Sequence, residues 1–72
     1  MYFECIRGYS DGPNLVVMQG DIVEFLAMGQ ENPGFIELVG RAGWCSVDVR
    51  LCLPVKIVSE HFRVIGLSYV LR

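Results

Sequence analysis

The chain has 72 residues, of which 53% are hydrophobic and 19% charged, with a formal net charge of −2. A chain this short buries only about 60% of the surface its unfolded form exposes, which excludes a multidomain machine and most enzymes with a large enclosed pocket. So much apolar surface with so little net charge also excludes a disordered chain.

Turn residues punctuate the sequence evenly: Gly8, Gly12-Pro13-Asn14, Gly20-Asp21, Gly29, Asn32-Pro33-Gly34, Gly40, Gly43, Pro54 and Gly66. Glycine supplies positive φ and proline presets φ, so these are turn positions with a mechanism. Between them lie runs of Val, Ile, Phe and Tyr, which suit pleated, half-buried strands. Tyr2–Ile6 reads as the first strand, and Leu15–Gln19 as a short, tight extended segment. At Gly20-Asp21 the glycine permits a turn and the aspartate is placed to bond neighbouring backbone. Asp21–Ala27 alternates, with Ile22 and Glu24 on one face and Val23 and Phe25 on the other.

Phe35–Val39, Trp44–Val49 and Val55–Val58 read as further strands. Ser59-Glu60-His61-Phe62 reads as one helical turn capped by Ser59. Arg63–Val70 is the last strand, and it opens an apolar tail with Leu67, Tyr69 and Leu71 on one side. That tail is expected to pack on its own domain; a homodimer through the C-terminal strand and docking of another chain are the other uses of such an edge. Short strands with regular turns make an all-β fold, a small barrel or sandwich of five to six short strands with an additional C-terminal strand.

Several classes are set aside on pattern alone. The longest uncharged stretch, Gly12 to Gly20, is nine residues and is broken by Pro13 and Asn14. A spanning helix needs about 20 apolar residues. The start lacks the basic-then-apolar pattern of a secretory signal, so a cytoplasmic protein is expected. Cys5, Cys45 and Cys52 are odd in number and unpaired in spacing, which points to buried free thiols rather than disulfides or zinc. No metal and no cofactor is expected. His61, the single histidine, has no spacing to a cysteine and Asp48 that makes a nucleophilic constellation, and no enzyme is expected. Residues 1–40 sum to −5 and residues 41–72 to +3, with the basic residues isolated from one another. Nucleic-acid binders carry a dense basic patch instead. An acidic first half attracts basic ligands.

One stretch carries a family likeness. Asn14-Leu15-Val16-Val17-Met18-Gln19-Gly20-Asp21 resembles the "xLSFxxGD" segment of Src-homology-3 (SH3) domains, with Leu15 five residues before Gly20. Ile22-Val23-Glu24-Phe25-Leu26 looks like that family's second strand. Cys5-Ile6-Arg7-Gly8-Tyr9 resembles the "ALYDY" start, with Tyr9 at the final aromatic. Gly43-Trp44-Cys45-Ser46-Val47-Asp48-Val49 is similar to the closing "GxxPxxYV" segment. Gly29 to Gly34 then stands for the n-Src loop, Phe35–Val39 for the third strand and Gly40–Gly43 for the distal turn. A second register places the closing segment at Ile57–Ile65, with Phe62 at the tyrosine and a long distal hairpin before it. The first register, with a core of about residues 2–51, suits the family's loop lengths better; the second extends the core to about 65. Either makes the chain a single SH3-like domain over residues 1–72 with 66–72 as an extension.

The resemblance implies an SH3-like barrel that acts as a non-enzymatic protein–protein interaction module, of the kind found in adaptor and signalling proteins. Its groove would bind a proline-rich or basic peptide, because a polyproline II segment is already extended and loses little entropy on docking. Mapped residue by residue, Tyr9, Phe35 and Trp44 are the apolar contacts, and Asp11 and Glu31 the acidic residues of the RT and n-Src loops. The sequence departs from the pattern at Arg7, where an aromatic is expected, and at Phe35 or Gly34, where the groove tryptophan belongs. In the first register it departs again at Ser46 for the proline and Val49 for the last tyrosine. The groove is therefore a divergent one. The alternatives are a small barrel that binds nucleic acid and a structural or oligomeric subunit.

Overall fold

The strand expected at Asp21–Ala27 forms, one residue further on, inside the main sheet. A computed structural model describes residues 1–29, 33–43 and 48–67, with backbone alone at Asn14 and Leu15. In it Ile22–Met28 (β4) pairs antiparallel with Tyr2–Cys5 (β1) on one side and with Phe35–Ala42 (β5) on the other. Register shifts between Ile22 and Val23 and between Phe25 and Ala27 bend it. A bulge of this kind raises the local twist, which lets one strand serve two differently directed parts of a curved sheet.

The strands β5 and Arg50–Pro54 (β6) form a hairpin, with Phe35 opposite Pro54 and Val39 opposite Arg50. The last strand, Phe62–Gly66 (β7), lies along β1. The five-stranded sheet therefore runs β6-β5-β4-β1-β7. Tyr9–Asp11 (β2) and Asn14–Val17 (β3) pair in a separate two-stranded hairpin. Gly12 opens its two-residue connection at φ 61, a backbone state that glycine adopts without steric cost. Among the described residues there is one helix, Val55–His61 (α1), between β6 and β7. The fold is all-β in class, as expected.

One core joins all these pieces. Cys5, Val17, Val23, Ile36, Leu38, Leu53, Val58 and Phe62 form it, with Phe3, Tyr9, Val16, Phe25 and Leu51 packed against it. Leu38, Val17 and Val23 are fully buried. Burial of one such side chain stabilises by roughly 1.5–3 kcal/mol. Because Phe62 belongs to this core and β7 pairs along β1, the sheet extends well past residue 51.

Four local expectations are corrected. Val55–Val58 is the first half of α1, not a strand. Val58 within the helix and Phe62, the first residue of β7 directly after it, both reach the core, and that burial outweighs the strand preference of Val and Ile. Ser59 does not cap a helix: α1 begins after Pro54, whose φ of −58 suits a helix entry, and the Ser59 hydroxyl donates to the Lys56 carbonyl at 2.8 Å. The Val55 N–H instead donates to the Gly34 carbonyl at 2.7 Å, which ties the helix start to the turn before β5. Of the strand expected at Trp44–Val49, Asp48 lies in a turn with a φ of 68 and Val49 is not in a strand, and β6 starts at Arg50; residues 44–47 lie outside the described part. Finally, Cys5 is a buried free thiol but Cys52 is an exposed one.

At the C-terminal end, Leu67 is 82% exposed. Tyr69 and Leu71, on which self-packing of the tail rests, lie outside the described residues. Among the described residues no helix is long and apolar enough to cross a membrane.

Candidate peptide groove

The β2–β3 hairpin and β6 are far apart in sequence, yet they wall one groove of about 450 Å³. That size falls within the range of small-ligand sites. Tyr9, Asp11 and Val16 line it from the hairpin, Phe35 from the first position of β5, and Arg50 to Pro54 along the whole of β6.

Each side chain is placed by a local feature. Tyr9 is half-buried at the start of β2, opposite Val17, with a register shift after it that separates it from Ser10. Its ring meets the His61 imidazole edge-on, with centroids 5.5 Å apart and planes at 79°. That T-shaped arrangement is the one favoured by ring quadrupoles. His61 is itself fixed by a hydrogen bond between Nδ1 and the Arg7 carbonyl at 3.0 Å, and its own carbonyl accepts from the Ile6 N–H at 2.8 Å. Asp11 stands at the end of the hairpin, exposed, opposite Asn14. Phe35 enters β5 beside Pro54, its cross-strand partner, and its carbonyl accepts from the Gly29 N–H at 2.9 Å, which closes the connection from β4.

Of the five residues expected to contact a ligand, the structure brings three together: Tyr9, Asp11 and Phe35. Glu31 and Trp44 lie outside the described residues. Sequence reasoning missed β6. Arg50, Cys52 and Pro54 alternate with the core-facing Leu51 and Leu53, a period-two signal that was open to reading. The strand expected at Trp44–Val49 ends where β6 begins, so these residues fall in a segment beyond it.

The groove's charges are one acid and one base, Asp11 and Arg50, among the described residues. Two other arginines are engaged elsewhere. Arg41 bridges Glu24 and Asp48, each at 2.7 Å, and Arg63 pairs with Glu4 at 2.6 Å. Hydrogen bonding to Glu24 holds the Arg41 guanidinium even more firmly protonated than usual. Neither Asp11 nor Arg50 has an ion-pair or hydrogen-bond partner for its side chain among the described residues.

Outside the groove, burial pushes the Cys5 thiol above its ordinary range, and Sγ donates to the Arg7 carbonyl at 3.1 Å. A protonated, enclosed thiol is a packing group and not a nucleophile. Among the described residues no group of three His, Cys, Asp or Glu side chains stands close enough to hold a metal ion. No protein-family model matches the chain, and no curated protein or solved structure matches it significantly.

Proposed function

We propose that this chain is a divergent member of the SH3 family, a non-enzymatic module that binds an extended peptide of a partner protein in the groove between the β2–β3 hairpin and β6. The observation that carries the reading is the convergence of Tyr9, Asp11 and Phe35 on one groove, from residues 9 to 35 of the sequence. Aromatic and proline side chains along it offer the flat apolar contacts that extended prolines seat against. Asp11, exposed at the hairpin end, supplies a carboxylate for a basic ligand residue. β4 and β5 stand where the resemblance sets the second and third strands, and Pro54 brings to the groove the proline that Ser46 does not offer in the first register. Free thiols at Cys5 and Cys52 agree with a cytoplasmic setting.

Nucleic acid is the weaker reading. A strand-binding groove combines stacking aromatics with several cations, and here Arg50 is balanced by Asp11.

A peptide-array screen of the wild type against Tyr9→Ala and Asp11→Lys tests the proposal. Tyr9→Ala is expected to lose binders generally, and Asp11→Lys to lose those with a basic residue. Retention of every partner by both variants removes the groove as the binding surface.

A further inference from the structure

We infer that the same groove also selects an acidic residue in its ligand, held by Arg50, about four positions from a proline or apolar residue seated between Phe35 and Pro54. This rests on the groove reading above and adds a second charge requirement to it.

The geometry comes from β6. Arg50, Cys52 and Pro54 alternate along one strand that lines the groove throughout its length, and Phe35 lies across from Pro54. Strand rise separates the Arg50 and Pro54 backbones by roughly 13 Å. A polyproline II ligand rises 3.1 Å per residue, so this span matches about four of its residues. The groove therefore has an apolar end at Phe35 and Pro54 and a cationic end at Arg50.

Arg50 is also exposed and has no side-chain partner among the described residues, unlike Arg41 and Arg63, whose guanidinium groups are taken up by carboxylates. A guanidinium presents a fork of donors that matches a carboxylate in two parallel hydrogen bonds. With Asp11 on the hairpin wall, the groove is dipolar. The ligand that complements it is an extended peptide carrying one base and one acid, and a uniformly basic proline-rich segment leaves Arg50 facing a like charge.

The test is selection of a displayed library of random linear peptides on the wild-type chain, Arg50→Glu, Asp11→Lys and Tyr9→Ala, with thermal melts showing that each variant folds. The wild-type pool is expected to enrich Asp or Glu about four positions from Pro or a large apolar residue. The Arg50→Glu pool is expected to replace that acid with Lys or Arg, and Arg50→Glu should bind wild-type-selected peptides on the order of tenfold more weakly. Binders that are lost on Tyr9→Ala yet keep the same acidic position on Arg50→Glu overturn this inference and leave the groove reading standing. Absence of any enrichment on the wild type overturns both. An Arg50-dependent complex with a single-stranded oligonucleotide, with no peptide bound, overturns both as well.

Discussion

Gly43 lies directly against the carboxylate of Asp21. The aspartate is 2% exposed, and its Oδ2 accepts from the Met18 N–H at 2.9 Å while its own N–H donates to the Met18 carbonyl. A Cβ on Gly43 would overlap Asp21 Oδ1, and Gly43 holds a φ of 104, outside the range of L side chains. The turn between β3 and β4 and the end of β5 are thus locked by a side chain fitting where another side chain is missing.

Gly43→Ala is therefore expected to destabilise by at least about 2 kcal/mol, from backbone strain plus displacement of a buried, hydrogen-bonded carboxylate. Gly34→Ala shares the positive φ but meets nothing nearby, and should cost less. Urea denaturation of the two variants checks the order; equal losses would remove the close approach as the cause.

Cys5 makes stability fall at alkaline pH. Its folded thiol is raised by burial, so below the ordinary thiol range, about 8.5, both states are protonated and its contribution is whole. Above that value the unfolded chain ionises first, and the contribution is lost as pH climbs toward the folded value, with a slope of up to about 1.4 kcal/mol per unit. The stability gap between wild type and Cys5→Val is expected to shift against the wild type from pH 7 to pH 10. A constant gap contradicts the prediction.

Cys52 should behave oppositely to Cys5. It is exposed and sits in the groove, so a maleimide is expected to label it in the native protein while Cys5 stays protected until unfolding. A selected peptide should slow the labelling, and the labelled protein should lose the peptide. Peptide mapping against Cys52→Ser assigns the site, and native labelling of Cys5 at a similar rate would count against the described burial.

The ring contact between Tyr9 and His61 is expected to set the groove's shape. His61→Ala should weaken peptide binding by about 1 kcal/mol, roughly fivefold, through a less constrained tyrosine. His61→Phe should restore most of it. Binding unchanged in His61→Ala would show that the neighbouring hairpin positions Tyr9 without it.

How much of this was legible depended on whether a signal was local. The alternation through Asp21–Ala27 and the turn at Gly20-Asp21 announced β4 correctly, because period two and turn chemistry are written within a few residues. Val55–Val58 misled, while the helical turn read at Ser59 to His61 was right: Val55, Ile57 and Val58 each favour strands, and the helix starts earlier because Val58 reaches the core from it, a tertiary fact. Tyr9, Asp11 and Phe35 were reachable through the resemblance around Gly20. Arg50 was not, since its place in the groove follows from pairing with Val39 across the hairpin, and nothing near Arg50 in sequence announces that partner.

The placement of β1 between β4 and β7 bears on how the molecule comes into being. Tyr2 through Cys5 find their second neighbour in residues 62 to 66, near the opposite end of the chain. Among the strand pairs of the sheet, this one closes the longest loop of intervening chain. Contacts of such long sequence separation slow folding into the range of milliseconds to seconds. Without Phe62–Gly66 the sheet ends at β1, whose outer backbone groups are then left as an open edge.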